Sequence, residues 1–152
     1  MKQVLLDGAH DTRELRNALG RFPTGVTVIT TCTPGGKREG LTANSFSALS
    51  LDPPLVLWSI GCKSNSLASF IESGHFAINV LRADQADMSH RFATPGADKF
   101  AGLTVAAGAG GSPLLPGVLA ASSARSNRRL KAATTCCSLD GCSGLPTVRA
   151  SR

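Results

Sequence analysis

Short β-branched or apolar runs, separated by glycine and proline turns, make up most of the first 120 residues of this chain. Such runs are typical of strands, because branched side chains fit the pleated surface of a sheet. The connections between consecutive runs are short and no long helix alternates with the strands, so the order favours an antiparallel barrel over a doubly wound parallel sheet. The predicted strands are residues 26–31, 40–51, 55–60 and 75–81, with a turn at residues 33–37.

Three short helices are expected before or between these strands. Asp11 is placed to cap the first helix, with Glu14 three residues later as its reciprocal partner. Ser64 is placed to cap the second helix, which Gly74 ends, and the third runs over residues 85–92. The apolar sides of the first two helices would carry Leu15, Ala18, Leu19 and Phe22, and then Leu67, Ala68, Phe70 and Ile71.

Positive charge is concentrated at the C-terminal end of the chain. The formal net charge is +6, yet residues 1–120 carry ten Lys or Arg against nine Asp or Glu, whereas residues 121–152 carry six against one. The basic balance therefore belongs to the tail. It does not indicate nucleic-acid binding, because that tail contains no aromatic residue to stack on bases.

Nothing in the sequence indicates secretion, a membrane or a metal centre. No apolar run approaches the roughly 20 residues of a membrane-spanning helix, and charged residues interrupt the N-terminal segment where a signal peptide needs an apolar block. Five cysteines are an odd number for a disulfide framework, and Cys136, Cys137 and Cys142 lack the paired spacing of a zinc site. A cytoplasmic protein without a bound metal is expected.

The segment from Gly40 to Leu57 is the most distinctive sequence in the chain. Small hydroxyl and amide side chains stand between apolar residues, and a double proline then leads into a second apolar run. This composition suits the lining of a site for a flat polar ligand better than it suits a hydrophobic core. Five further blocks accompany it, namely Phe22–Thr30 before it and Lys63–Leu67, Phe76–Leu81, Asp98–Phe100 and Pro113–Gly117 after it.

With these blocks in this order, the chain resembles the short-chain flavin reductases over about residues 12–119. These are the reductase partners of two-component flavin monooxygenases. The resemblance implies a mainly β protein with short helices, an antiparallel Greek-key split barrel that forms a homodimer. It also implies reduction of free FMN or FAD by NADH or NADPH, with the reduced flavin passed to a partner monooxygenase.

The resemblance assigns particular residues to the flavin. Hydroxyl, amide and main-chain groups can match the donors and acceptors along the edge of the flavin ring, and N–H groups beside a cation at a helix start can bind its phosphate. Read one at a time, the same residues are ordinary strand residues, helix caps or solvated charges. The assigned residues are Thr42, Ala43, Asn44, Ser45, Phe46 and Ser47 for the ring and Lys63, Ser64 and Ser66 for the phosphate side, with Asn79 as a further cofactor-binding residue.

His90 and Arg91, on the third predicted helix, are candidates for the nicotinamide side of the pocket. His75 begins a predicted strand and is expected to be structural, and Trp58 lies in an apolar run that is typical of a core. No catalytic residue is assigned, because hydride transfer belongs to the flavin and the protein positions the reactants and excludes water.

The chain departs from the family pattern after Leu119. A flavin reductase continues with further barrel strands and a Gly-Asp-His turn whose histidine lies near the nicotinamide, but residues 121–152 contain neither an apolar alternation nor that turn. Enrichment in Ser, Ala, Arg, Cys and Gly is what GC-rich DNA yields when it is read out of frame, so we hypothesise a frameshift near Ala120. We predict a flavin reductase-like domain over residues 1–120, incomplete at its C-terminal end, and a disordered basic tail over residues 121–152.

Two alternatives to an active reductase stay open. The altered C-terminal end would leave a remnant that binds flavin without turnover. A small basic structural or interaction protein is the third possibility, and flavin would then have no effect on it.

Overall fold

The computed structural model describes residues 17–52, 54–96, 98–126 and 147–150, the last of these as backbone. Strands dominate, as the sequence predicts, and residues 17–19 are helical. The strands are β1 (Thr27–Cys32), β2 (Arg38–Ala43), β3 (Ser47–Leu51), β4 (Pro54–Leu57), β5 (His75–Val80), β6 (Ala106–Ala107), β7 (Pro113–Leu114), β8 (Ala120–Ser126) and β9 (Thr147–Ala150). The helices are α1 (Leu67–Ser73) and α2 (Ala86–Ala93), with a single 3-10 turn at Ala109–Gly111.

Seven strands form one sheet in the order β2-β1-β5-β8-β9-β4-β3, and every pairing in it is antiparallel. The two edge strands are consecutive in the chain. In a flat sheet they would lie about 29 Å apart, whereas the three residues between Ala43 and Ser47 can span at most about 14 Å. The sheet must therefore curl into a barrel that stays open between β2 and β3, with residues 44–46 crossing the opening. A separate two-stranded sheet pairs β6 with β7.

Alternate residues along β1 and β5 face two different hydrophobic clusters. The inner core consists of Ile29, Trp58, Phe70, Phe76, Ile78 and Ala124, with Phe46 and Val56 packed against it. Because it joins side chains from both ends of the sheet order, it lies on the concave side. The outer core consists of Val28, Leu81, Phe92, Phe100 and Leu115, and it packs α2 on the convex side.

Trp58 belongs to the inner core, which confirms the prediction from its apolar surroundings. Its ring lies 4.9 Å from that of Phe70 in an edge-to-face arrangement and 5.5 Å from that of Phe76. The three rings place α1 against the concave face of the sheet. Gly74 takes a left-handed conformation (φ 66°) and ends α1 as predicted.

Several element boundaries differ from the sequence predictions. The predicted strand 40–51 is two strands, because residues 44–46 leave the ladder to cross the barrel opening. The next strand ends at Leu57, three residues earlier than predicted. Ser66, and not Ser64, is the residue that precedes α1, and Ile71 is 46% exposed although it was expected on the inner side. The third predicted helix is α2, shifted by one residue.

The two ends of the chain are described only in part. Asp11 and Glu14 lie outside the described residues, and the predicted apolar side of the first helix is not buried at Leu19 or Phe22, which are 63% and 74% exposed. At the other end, residues 121–126, which we assigned to the tail, form most of β8. That strand pairs with β5 from Val80↔Ala120 to His75↔Arg125.

Among the described residues, no helix is long and apolar enough to cross a membrane.

Candidate functional site

A groove of about 400 Å³ lies beside α2, between that helix and the loop that precedes β1. Its volume is within the range of small-molecule sites, about 300–1,000 Å³. Residues from two separate parts of the sequence line it, and the fold brings them together by placing the start of β1 next to the end of β5. The lining residues are Thr24, Gly25, Val26, Leu81, Arg82, Ala83, Gln85, Ala86, Ser89 and His90.

The predicted ring-binding segment begins at the rim of this groove. The Thr42 hydroxyl donates to the Ser89 carbonyl over 2.6 Å, and Ser89 lines the groove. The Ala43 carbonyl accepts a 2.6 Å hydrogen bond from the Thr27 hydroxyl, one residue after the groove-lining Val26. Thr42 is thus held at the groove wall that α2 forms, although its hydroxyl is already engaged, and Ala43 is tied to the start of β1 next to the groove.

The rest of that segment crosses the barrel opening and presents polar groups to solvent. Asn44 and Ser47 are exposed. The Ser45 hydroxyl donates to the Ser59 carbonyl at 3.2 Å and accepts from the Ser59 amide at 3.1 Å, which ties the crossing segment to the chain just after β4. Phe46 is half-buried against the inner core. The Ser47 hydroxyl donates to the Ala48 carbonyl at 3.2 Å and keeps only its capacity to accept, so the free donors of this segment come from Asn44 and from the main chain.

The residues predicted for the phosphate are only partly available. The Ser66 hydroxyl is buried and donates to the Glu39 carboxylate at 3.1 Å. The other oxygen of that carboxylate is 2.8 Å from the Lys37 ammonium. A carboxylate this close to the Ser66 hydroxyl would repel a phosphate, so Ser66 does not belong to the candidate site. Lys63 is exposed and Ser64 half-buried, so both can still take part.

The fold also separates the two predicted parts of the site in the single chain. Glu39 and Thr42 differ by three positions along β2, and successive side chains of a strand point to opposite faces. The Glu39 side of β2 meets Ser66 before α1, whereas the Thr42 side meets α2. Lys63 and Ser64 therefore flank a different face of β2 from the groove.

Asn79 is a structural residue, which corrects its assignment as a cofactor ligand. It has no exposed surface. Its amide nitrogen donates to the Val28 carbonyl at 3.0 Å and to the Thr30 hydroxyl at 3.3 Å, and its oxygen accepts from the Leu115 amide at 2.8 Å. Every strong hydrogen-bonding position of the side chain is thus used inside the protein, where it joins β5 to β1 and to the segment after β7.

The two candidates for the nicotinamide side have different surroundings. His90 is exposed and lines the groove. The Arg91 guanidinium points away from it and donates to the Ala101 carbonyl, which attaches α2 to the following loop. His90 is therefore kept in the candidate site, and Arg91 is not. His75 is structural as predicted, with its Nδ1 3.0 Å from the Ser73 carbonyl oxygen.

Sequence reasoning missed most of the groove. Thr24 and Gly25 lie outside the predicted helices and strands, and Ser89 lies within the third predicted helix with no pattern around it that indicates a binding residue. Gln85 is also a groove residue, and its side chain bridges the Arg82 amide at 3.0 Å and the Pro116 carbonyl at 3.3 Å. The Phe22–Thr30 block of the family resemblance was the one signal that pointed toward Thr24 and Gly25.

Comparison with known proteins places this chain in context. The family described as "Flavin reductase like domain" matches residues 19–139, a range that extends into the segment we assigned to the tail. The reductase component of a flavin-dependent trigonelline monooxygenase from Acinetobacter baylyi is 48% identical over 115 residues, which cover 76% of this chain and 37% of that protein. An NADH-dependent FMN reductase, SmoA of Agrobacterium fabrum, is 48% identical over 119 residues, which cover 78% of this chain and 67% of that protein.

A solved structure supports the same conclusion. The NADH:FAD oxidoreductase SgcE6 of Streptomyces globisporus, in complex with NAD and FAD fragments, has a TM-score of 0.77 and 31% identity. The match covers 92% of this chain and 79% of that one. This chain spans only about a third to two thirds of the length of the curated relatives that it matches.

The match to the family over most of the described barrel, together with relatives that are nearly half identical, is consistent with the split-barrel topology observed here. The chain belongs to the flavin reductase family.

Proposed function

We propose that this protein reduces free FMN or FAD with NADH or NADPH and supplies the reduced flavin to a partner monooxygenase. One observation carries the proposal: a ligand-sized groove lies beside Thr42, the first residue of the predicted ring-binding segment, whose hydroxyl donates to the carbonyl of the groove-lining Ser89. The curated relatives support it, because SmoA is named for NADH-dependent FMN reduction and the Acinetobacter protein for its place in a flavin-dependent monooxygenase. A cytoplasmic location is part of the proposal.

The proposed flavin site uses the exposed part of the crossing segment. Asn44, Ser47 and the main chain between them offer donors and acceptors to the polar edge of the ring, and Phe46 and Ala43 anchor that main chain to the inner core. Lys63 and Ser64 would serve the phosphate. The residues fit a flat polar ring better than they fit its phosphate, because the Glu39 carboxylate lies on the phosphate side.

The flavin supplies the chemistry, since its ring accepts a hydride from the reduced nicotinamide. This chain binds and orients the two rings. Ser89 and His90, on one wall of the groove, would face the nicotinamide, while Thr24 and Gly25 form the opposite wall. Closure of the groove by the second ring would exclude water from the space between them.

A homodimer is the proposed assembly, and the β3–β4 hairpin is its proposed interface. Leu51 is 89% exposed and Leu49 51% exposed in the single chain, and all of β4 is only half-buried. Apolar side chains of one hairpin, exposed together at the open edge of a sheet, are typical of a surface that another chain covers. A second copy would also bring another set of polar groups to the barrel opening.

The division of the chain into residues 1–120 and a basic tail over residues 121–152 stays a prediction. β8 crosses the proposed boundary, and the family match reaches residue 139. The nucleotide sequence tests the frameshift hypothesis. An insertion or deletion near codon 120 that restores a Gly-Asp-His turn would support it, and a single reading frame without one would contradict it.

Consumption of NADH by the purified protein, with and without FMN, tests the proposed function. We expect turnover that depends on FMN, and we expect Asn44→Ala to raise the KM for FMN about tenfold through the loss of ring contacts. Thr104→Ala, at an exposed position outside the groove, is the matched control and should leave the KM unchanged. Quenching of FMN fluorescence without turnover would support the inactive remnant instead, and no effect of FMN would leave only the structural alternative.

A further inference from the structure

We propose that Lys99 is a positioning residue that fixes the groove wall. Its ammonium bonds the C-terminal end of α2 to β2. This link sets the distance from β2 to the helix, and therefore to Ser89 and His90, which α2 carries. The inference rests on the proposed function, because it assigns Lys99 a role in the binding of the nicotinamide nucleotide.

The ammonium of Lys99 joins two elements that are far apart in the sequence. Its Nζ donates to the Phe92 carbonyl at 2.9 Å and to the Gly40 carbonyl at 3.1 Å. Phe92 lies in the last turn of α2, where the carbonyl groups of a helix have no partner within the helix and a cation is favoured. One side chain thus satisfies a helix end and a strand at the same time.

Lys99 itself is held in place by a turn attached to the same helix. The Asp98 carboxylate accepts from the Phe100 amide at 3.0 Å, which shapes the turn. The ring of Phe100 packs edge-to-face on that of Phe92 at 5.1 Å, and the Arg91 guanidinium donates to the Ala101 carbonyl. The position of the Lys99 side chain is therefore coupled to α2 from both ends.

The contact between α2 and β2 is close enough that small shifts matter. A Cβ on Gly40 would lie 2.6 Å from the Phe92 ring, so the helix rests directly on the main chain of β2 at the residue whose carbonyl Lys99 binds. Two residues further along β2, Thr42 donates to the Ser89 carbonyl. Gly40 and Thr42 are thus two attachment points for α2 on the same face of β2. His90 is the residue after Ser89, the partner of Thr42.

The ammonium of Lys99 is a charged group at a partly buried position, so its hydrogen bonds matter for the stability of the fold. Desolvation lowers the pKa of the Lys99 ammonium, and the Glu39 carboxylate partly opposes this shift. Partial burial of an ammonium costs free energy unless some of its hydrogen bonds to water are replaced, and the two carbonyl oxygens replace them. The two bonds therefore offset the cost of partly burying the Lys99 side chain.

Lys99→Met is the principal test, because methionine keeps an unbranched side chain but loses every donor. We expect the KM for NADH to rise about tenfold while the dissociation constant for FMN, from fluorescence quenching, stays within about twofold. Lys99→Arg keeps the charge and the donors and should restore the KM to within about threefold. Lys37→Met, an exposed lysine on the β1–β2 hairpin, is the matched control and should behave as the wild type.

Amide hydrogen exchange provides a readout that does not depend on turnover. In Lys99→Met we expect faster exchange at the end of α2, over residues 90–94, and unchanged exchange in α1. If Lys99→Met does not fold, Lys99→Gln, whose shorter and uncharged side chain keeps an NH2 donor group, should show both effects at smaller size. Equal changes in NADH and FMN affinity, or unchanged exchange in α2, would overturn the inference. If the wild type shows no FMN-dependent turnover but α2 exchanges faster in the variant, the proposed function is overturned and the structural role of Lys99 is not.

Discussion

The two ends of the seven-stranded sheet differ in how they are buried. The half that contains β1 and β5 is covered on both faces, by the inner core on one side and by α2 and the outer core on the other. The half that contains β3 and β4 has one covered face at most in the single chain, and the side chains of β3 are mostly exposed. The first half therefore supplies most of the buried side chains of the sheet, whereas the second leaves side chains exposed that can form an interface and border a ligand.

The largest expected effect of this difference is on stability. Ile78→Ala removes a side chain that is 1% exposed in the inner core and should lower the free energy of unfolding by about 2–5 kcal/mol. Leu51→Ala, at the 89% exposed end of β3, should change it by less than about 0.5 kcal/mol. Denaturant unfolding of both variants below the concentration at which the protein associates measures the comparison. Equal effects would mean that the halves are not distinct.

Asn79→Ala tests the reassignment of a residue on the well-covered half. The substitution removes the acceptor of the buried Leu115 amide and a donor to the Val28 carbonyl, so we expect a loss of about 2–3 kcal/mol in the free energy of unfolding. The variant that remains folded should bind FMN as the wild type does. A selective loss of FMN affinity without a loss of stability would show that Asn79 is a ligand after all.

Leu51→Lys tests the exposed half as an interface between two copies. A lysine at the centre of an apolar contact leaves a buried charge without a partner, so the dissociation constant of the homodimer should rise at least about tenfold. Sedimentation velocity over a range of concentrations measures it. Ser122→Ala, at an exposed position on β8, is the control for a substitution elsewhere on the sheet. A wild-type protein that is monomeric at all concentrations would contradict the proposed assembly.

The smallest effect concerns Lys99, which joins α2 to β2 beside the well-covered half. Because its pKa in the folded state lies below the ordinary value of 10.5, the unfolded state binds more protons between these two pH values. The stability of the wild type relative to Lys99→Met should therefore rise as the pH increases through the lowered pKa toward 10.5, and level off above it. Urea unfolding of the two proteins across this range measures the change. A difference that falls with pH would mean that the folded state raises the pKa.

Much of the strand order could be predicted from the sequence, because β1 and β5 are continuous apolar or β-branched runs between clear turns. The break between β2 and β3 was not predicted, although the apolar alternation shifts by one position there, from Leu41 and Ala43 to Phe46 and Ala48. It arises from the need to cross the barrel opening. β8 has the sequence Ala-Ala-Ser-Ser-Ala-Arg-Ser, which has little strand preference, and its pairing with β5 overrides that preference.

Only the part of the candidate site that one continuous segment forms could be predicted from the sequence. The ring-binding segment stands out by its composition, and the structure places its start at the groove. The groove itself unites residues 24–26 with residues 81–90, and no local pattern connects them. Asn79 and Ser66 were misassigned for a related reason: their partners, Leu115 and Glu39, are 36 and 27 residues away in the chain.

Amide hydrogen exchange of the wild-type protein with and without FMN tests the central claim most directly. If the flavin binds where the polar segment meets the groove, addition of FMN should slow exchange in residues 40–47 and 81–90 and leave the well-covered centre of β5 unchanged. Slower exchange confined to other segments, such as α1 or β8, or no change in exchange at saturating FMN, would contradict the account.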